Sequence, residues 1–228
     1  MGSAVSVALP AGAMLNTLPD AVLTMDKGVV LKPAFKFNWL SNTMRTMQVA
    51  ATSPSHVLLG ADAYGDTKVV TVGGHQQLHI VQSCYLASSA TVAIADVVQN
   101  RGFMSTLVSG TGLIVKQTSG AGVVALKADG AIVAVQVQPG KPVRVDNGHV
   151  VAWTGGVRYE MKKAVETDKP GWMAWAQDAA NSFLTEGYMC EFTGGGTVFI
   201  HTRKSLDSRI ESIARRAARE EVRVQVQR

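Results

Sequence analysis

Leu86-Ala87-Ser88-Ser89-Ala90-Thr91-Val92-Ala93-Ile94 and Val151-Ala152-Trp153-Thr154-Gly155-Gly156-Val157-Arg158-Tyr159 place their apolar residues at matching positions, 157 − 92 = 65 residues apart. Leu23-Thr24-Met25-Asp26-Lys27-Gly28-Val29-Val30-Leu31 carries the pattern 92 − 29 = 63 residues earlier. A second element recurs beside the first: Thr52-Ser53-Pro54, Thr118-Ser119-Gly120 and Thr193-Gly194-Gly195 each lead to a valine, at Val57, Val123 and Val198. Two patterns sharing nearly one period predict internal triplication. A period this long, built of several short strands, is a supersecondary unit that buries its apolar face only against its neighbours. The expectation is an all-β domain of about three repeated units, sandwich-like or barrel-like, over residues 13–204, with a basic amphipathic tail over 205–228.

Between Val123 and Met161 the strand pattern is clearest. Val133, Val135 and Val137 alternate with Ala134, Gln136 and Gln138, and Val143 and Val145 flank Arg144. Period-2 alternation of this kind marks half-buried strands. Asp129-Gly130, Pro139-Gly140 and Asn147-Gly148 punctuate them, because glycine supplies the positive φ that tight turns need. The spacing predicts a meander of hairpins, repeated 65 residues earlier around Val70, Val72, Gly73-Gly74, Leu78 and Ile80. Helix signals are confined to Asp168–Thr185 and to a capping-box spacing at Ser208–Glu211. The latter opens a short C-terminal α-helix with Ile210, Ile213 and Ala217 on one stripe, running to Glu221.

The chain has 228 residues, 46% hydrophobic and 17% charged, which places it among globular proteins rather than disordered ones. The repeats tile the chain without a linker, so one domain is expected. A net charge of +5 is partly concentrated in the tail, where Arg209, Arg215, Arg216, Arg219, Arg223 and Arg228 face four acids. Such a tail suits an anionic partner or a solvated mixed-charge face. Cys84 and Cys190 are expected to be free thiols. No apolar run approaches about 18 residues, so no membrane-spanning helix is expected. Met1–Leu18 contains no Lys or Arg, which fits neither a secretory signal nor a transit peptide.

Catalytic patterns are missing from the sequence. There is no Gly-x-Ser-x-Gly elbow, no phosphate-binding loop and no Gly-x-Gly-x-x-Gly opening a helix. Gly194-Gly195-Gly196 joins two strands and reads as a hairpin turn, without the helix N-terminus that would hold a phosphate. Of the histidines His56, His75, His79, His149 and His201, only His75 and His79 share a strand face, and no third ligand lies near them. His149 follows Asp146-Asn147-Gly148, where an Asx turn accounts for the acidic residue, and it could orient that turn or lie against Trp153. Cys84 and Cys190 stand among apolar neighbours and read as core. A non-enzymatic protein without cofactor or metal is expected.

The segments joining the two recurring elements carry large apolar residues. They include Phe35, Phe37 and Trp39; then Phe103 and Met104; then Trp172, Trp175 and Phe183. Connectors are ordinarily polar, so these are either lids folded over the β core or a shared apolar rim for a protein or a membrane surface.

Gly112-Leu-Ile-Val-Lys-Gln-Thr-Ser-Gly-Ala-Gly-Val, Val145-Asp-Asn-Gly-His149-Val-Val-Ala-Trp153 and Gly187-Tyr-Met-Cys-Glu-Phe-Thr-Gly-Gly-Gly-Thr-Val resemble the signatures of the altered-inheritance-of-mitochondria (mitochondrial biogenesis) family. The likeness extends over about residues 13–204 and rests on these blocks in combination. It implies a fold similar to the tryptophan RNA-binding attenuation protein, with stacked β-sheets in a three-fold-like arrangement and a tendency to homo-oligomers. It also implies a mitochondrial setting at the inner membrane, with no catalytic residues to carry over. The insertion Asp168-Lys-Pro-Gly-Trp-Met-Ala-Trp-Ala-Gln-Asp departs from the family's glycine-rich connectors.

The expected role is that of a scaffold whose connectors dock on a larger protein assembly or on the inner-membrane surface. The tail, through Arg215, Arg216 and Arg219, is expected to join them. The alternative is an oligomeric β protein that binds RNA or a small ligand. RNA binding calls for basic residues interleaved with stacking aromatics, whereas here the arginines and tryptophans lie in different segments. The matrix, or the matrix side of the inner membrane, is the expected location, with the bacterial cytoplasm as the alternative.

Overall fold

The computed structural model describes residues 3–34, 46–61, 65–74, 76–97, 115–163 and 188–204. Over these the protein is all-β. The first strands are β1 (Ala4–Leu9), β2 (Met14–Thr17), β3 (Val22–Met25), β4 (Val29–Ala34), β5 (Thr46–Ala51) and β6 (Ser55–Gly60). They are followed by β7 (Thr67–Val72), β8 (Leu78–Val81), β9 (Tyr85–Ser89), β10 (Val92–Asp96), β11 (Val115–Gly120) and β12 (Gly122–Lys127). The last are β13 (Ile132–Val137), β14 (Val143–Asp146), β15 (Val150–Thr154), β16 (Val157–Lys163), β17 (Tyr188–Gly194) and β18 (Gly196–His201). Short 3-10 turns at Gln82–Cys84 and Asn147–His149 precede β9 and β15.

Pairing is antiparallel throughout the named strands and follows one scheme. β6 lies between β1 and β3, while β5 lies between β4 and β2. β12 lies between β7 and β9, while β11 lies between β10 and β8. β18 lies between β13 and β15, while β17 lies between β16 and β14. Two further pairings, β2 with β9 and β8 with β15, join these groups into two six-stranded sheets. β1-β6-β3 and β14-β17-β16 remain three-stranded. β1 lies ahead of residue 13, the expected start of the domain, and is paired along its whole length with β6.

The expected meander of hairpins is not what forms. Among the strands of the 123–161 stretch no two consecutive ones pair: β13 pairs with β18, β14 with β17, and β15 with β18 and β8. The Pro139-Gly140 turn, closed by Lys141 N–H donating to the Gln138 carbonyl at 3.0 Å, carries the chain from one sheet to another. Gly73-Gly74 does the same between β7 and β8. Gly194-Gly195-Gly196 is likewise a corner, because β17 and β18 belong to different sheets. A turn signal dictates that the chain reverses, but burial decides which strand it meets afterwards. The chain neighbours that do pair are β4–β5, β10–β11 and β16–β17, the strands that flank the aromatic connectors.

Alternation places the core. On β14, β17 and β16, Val145, Cys190, Phe192 and Val157 are buried, while Arg144 and Glu160 take the opposite face. One apolar cluster centres on Trp153, Tyr85, Phe192, Leu126 and Ile80. A second, around Val49, Val57, Leu59 and Leu15, takes in Leu86, Ala87 and Ala125 across the β2–β9 junction. Val29, Val92 and Val157, aligned from the sequence, are all buried. The second element is aligned one residue off in its middle copy: Val57 and Val198 are buried, but Val123 is 43% exposed and Val124 is fully enclosed. The threonines stand at different places: Thr118 lies two residues before the end of β11, Thr193 one before the end of β17, and Thr52 just past β5. A turn over 52–54 precedes β6, against Ala121 or Gly195 alone before β12 and β18. Counting from the threonine therefore loses the register.

Candidate interaction surfaces

Four places in the described residues bring together groups able to bind or react. The first is a charged row on the outer face of β14-β17-β16. Register aligns Arg144, Glu191 and Glu160 across the sheet. Arg144 Nε donates to Glu191 Oε2 at 2.8 Å, and Lys162 Nζ donates to Oε1. The Lys162 ammonium and then the Arg144 guanidinium hold the Glu191 carboxyl below its usual range. The carboxylate is occupied on both oxygens, so the trio clamps three strands and supplies no free base.

The second is a pair of histidines. His149 Nδ1 lies 2.7 Å from the His201 carbonyl, and the two rings are 5.7 Å apart. His201 is buried, and its Nδ1 has no hydrogen-bond partner. Burial lowers its pKa, and the neighbouring His149 adds to the effect. Asp146 accepts from Gly148 N–H at 2.8 Å, the Asx turn read from the sequence, and Lys204 Nζ approaches its other oxygen at 3.1 Å. His149 thus lies against His201 rather than Trp153. No group of three His, Cys, Asp or Glu converges on a metal position among the described residues.

The third is the aromatic nest around Trp153. His79 stacks on the indole at 5.3 Å and 9°. Tyr159 and Phe192 tilt against it at 5.1 and 5.5 Å. The His79–Trp153 stack spans the β8–β15 junction, so it fastens two sheet halves together. Burial lowers the pKa of His79 and raises that of Tyr159. The free thiols of Cys84 and Cys190 are buried, and desolvation pushes them up to about 11 and about 12. Thiols so protonated are poor nucleophiles.

The fourth is the outer side of β3. Each of β3, β9 and β15 has a bulge against its neighbour, with Leu23, Leu86 and Val151 at the extra position. Leu86 and Val151 are fully buried, yet Leu23 is 57% exposed. Two residues on, Ser88 and Trp153 are 3% and 1% exposed, whereas Met25 is 46% exposed. β9 and β15 are covered by β2 and β8, while β3 has β6 as its one strand neighbour among the described residues. Sequence reasoning aligned Leu23 with Leu86 and Val151 but held no sign of which lacked cover.

The residues expected to form the partner surface, Phe35, Phe37, Trp39, Phe103, Met104, Trp172, Trp175, Phe183, Arg215, Arg216 and Arg219, lie outside the described residues, as does the expected C-terminal helix. Their attachment points are described. The connectors leave from β4–β5, β10–β11 and β16–β17, whose outermost pairs are Ala34 with Thr46, Asp96 with Lys116 and Lys163 with Tyr188. No helix of the described residues is long and apolar enough to cross a membrane.

A solved structure of a Streptococcus pyogenes protein is similar in fold, at 21% sequence identity and a TM-score of 0.69, over 93% of this chain and 93% of that one. No curated protein matches the chain. The family described as mitochondrial biogenesis AIM24 matches residues 2–203, nearly the whole described fold from β1 to β18. The chain therefore belongs to the mitochondrial biogenesis AIM24 family.

Proposed function

We propose that this protein acts by binding rather than by turnover, as a β platform that takes part in a larger protein assembly. The observation that carries the reading is the pair Leu23 and Met25, exposed on β3 where the corresponding residues of β9 and β15 are buried. Apolar side chains left open at a position that the fold covers elsewhere belong to an interface. Membership in a family described by mitochondrial biogenesis supports a role in building or maintaining that organelle.

Three finer statements belong to the same reading. The recurring pairing scheme supports three copies of one six-stranded unit, arranged as in the tryptophan RNA-binding attenuation protein. The aromatic connectors and the arginine-bearing tail provide the docking elements for other subunits or for the inner-membrane surface. The compartment is the mitochondrial matrix or the matrix side of the inner membrane, and the family description supports the organelle. The bacterial cytoplasm is the alternative, favoured by the streptococcal neighbour.

The experiment is affinity purification of the tagged full chain from its native cells in mild detergent, read by mass spectrometry and by membrane fractionation. A defined set of co-purifying proteins is expected, diminished when residues 205–228 are removed. Recovery of the chain with RNA or a small molecule, and without other proteins, would replace the scaffold reading by the ligand-binding one.

A further inference from the structure

Each group of six strands has two edges that can meet another group. In the first junction β2 meets β9, with Leu15 opposite Ser89, Asn16 opposite Ser88 and Thr17 opposite Ala87. In the second β8 meets β15, with Leu78 opposite Thr154, His79 opposite Trp153 and Ile80 opposite Ala152. Each is sealed by an added backbone bond, from Ala90 N–H to the Met14 carbonyl at 3.4 Å and from Gly155 N–H to the Gln77 carbonyl at 2.8 Å. The third junction has both components and is not made. β14 holds the place of β2 and β8, since Val143 lies opposite Phe192 just as Leu15 lies opposite Val49. β3 holds the place of β9 and β15, since Met25 lies opposite Val57 just as Ser88 lies opposite Val124 and Trp153 opposite Val198. Yet β3 and β14 stand at the ends of separate three-stranded sheets.

We propose that the open side of β3 in one copy of this chain pairs antiparallel with the open side of β14 in a second copy, repeating the junction that the chain makes twice within itself. The register follows from the two made junctions: Asp26 opposite Val143, Met25 opposite Arg144 and Thr24 opposite Val145. The Lys27 N–H then donates to the Pro142 carbonyl. Unpaired strand edges are templates for pairing, and their complement here is written into the same chain. The pairing covers Leu23 and Met25, whose counterparts are buried. Arg144, held by Glu191, lays its aliphatic stem along the Met25 thioether where His79 lies on Trp153. One copy offers one β3 and one β14, so the contact is head-to-tail and grows until a ring closes.

This inference rests on the equivalence of the three strand groups and names a partner for the surface that carries the binding reading. The test uses the purified full chain. Native mass should rise at least twofold from low to high micromolar concentration. Leu23→Lys with Met25→Lys should remain at the mass of one copy, with an unchanged β-type circular dichroism spectrum. A short thiol-to-thiol crosslinker should join Met25→Cys chains to Arg144→Cys chains when the two single variants are mixed. A wild-type chain of one-copy mass at every concentration overturns the proposal, as does assembly indifferent to the double substitution. Crosslinking within a single Met25→Cys/Arg144→Cys chain overturns it too, by showing that the third junction closes on itself. A monomer that still retains other proteins from cells leaves the binding reading standing while this inference falls. Self-assembly without other proteins does the reverse.

Discussion

Among the described residues Trp153 is the largest fully buried side chain, and three rings from three other strands rest on it. Trp153→Ala should cost about 3–5 kcal/mol, because the transfer term and the cavity term add and the strands around it are tied by pairing. Denaturant unfolding followed by circular dichroism measures it, and a loss under about 1 kcal/mol would mean that the site collapses freely. The histidines give a pH dependence of known sign. An unfolded histidine titrates near 6.5, and burial lowers the native pKa of both His79 and His201. Below 6.5 the unfolded chain then binds protons that the native one does not, so stability is full above that pH and is lost as pH falls below it. Asp129 opposes this at His201, while His149 reinforces it. Glu191, whose pKa is lowered from 4.5, stays ionised through this window and adds nothing there. The unfolding midpoint should fall from pH 7.5 to 5.5, and fall less in His79→Gln and His201→Gln. An equal fall in wild type and variants would assign the effect elsewhere. Sequence alone marks Trp153 as an apolar repeat position, places His79 on a strand face with His75, and assigns no surroundings to His201. Nothing in a strand's alternation says that the sheet beyond it will cover the polar row.

At the scale of elements, glycine placement shows what a turn signal can and cannot tell. Gly194 has φ +99°, and a Cβ there would stand 2.5 Å from the Gly156 carbonyl oxygen. Gly120 repeats the geometry with φ +90° and the Thr91 oxygen at 2.3 Å. The corresponding residue of the first group, paired with Val29 as Gly194 is with Val157, is Ala51. It tolerates a side chain because residues 52–54 give the chain a wider corner. Gly194→Ala should therefore lose more than the roughly 1–2 kcal/mol of a left-handed residue, the close carbonyl adding to it. Ala51→Gly should lose about 0.5–1 kcal/mol. Equal losses in denaturant midpoint would mean that the corner relaxes. The glycines were legible as turns, and so was each strand that they separate. The partners were not: a one-residue corner and a two-residue hairpin share their vocabulary, and the pairing of β12 with β7 and β9, not the turn, shows which sheet the strand joins.

The molecule has two made junctions between its strand groups, and the strands left without a junction differ from those within one in a measurable way. β9 and β15 have neighbours on both sides, while β3 and β14 have one each among the described residues. Backbone amides that face a paired strand exchange only on opening, whereas those facing solvent exchange at once. In dilute protein the amides of β3 and β14 that face away from β6 and β17 should exchange far faster than their counterparts in β9 and β15. At concentrations where copies pair, both sets should slow together while the amides of β1 and β13, also at sheet ends, stay fast. Slowing confined to β3 would point to cover by one of the aromatic connectors. Slow exchange at both strands in dilute protein would mean closure within the chain. The recurring apolar spacing in the sequence is matched by a pairing scheme that recurs in β1–β6, β7–β12 and β13–β18, since like burial demands leave like spacing. A missing neighbour leaves no such mark, because Leu23 and Leu86 satisfy the same pattern whether or not a strand lies over them. Whether the third junction is open, closed within the chain or closed between copies is therefore a property of how the groups meet, and amide exchange reads it at the two strands, β3 and β14, that lack a second neighbour among the described residues.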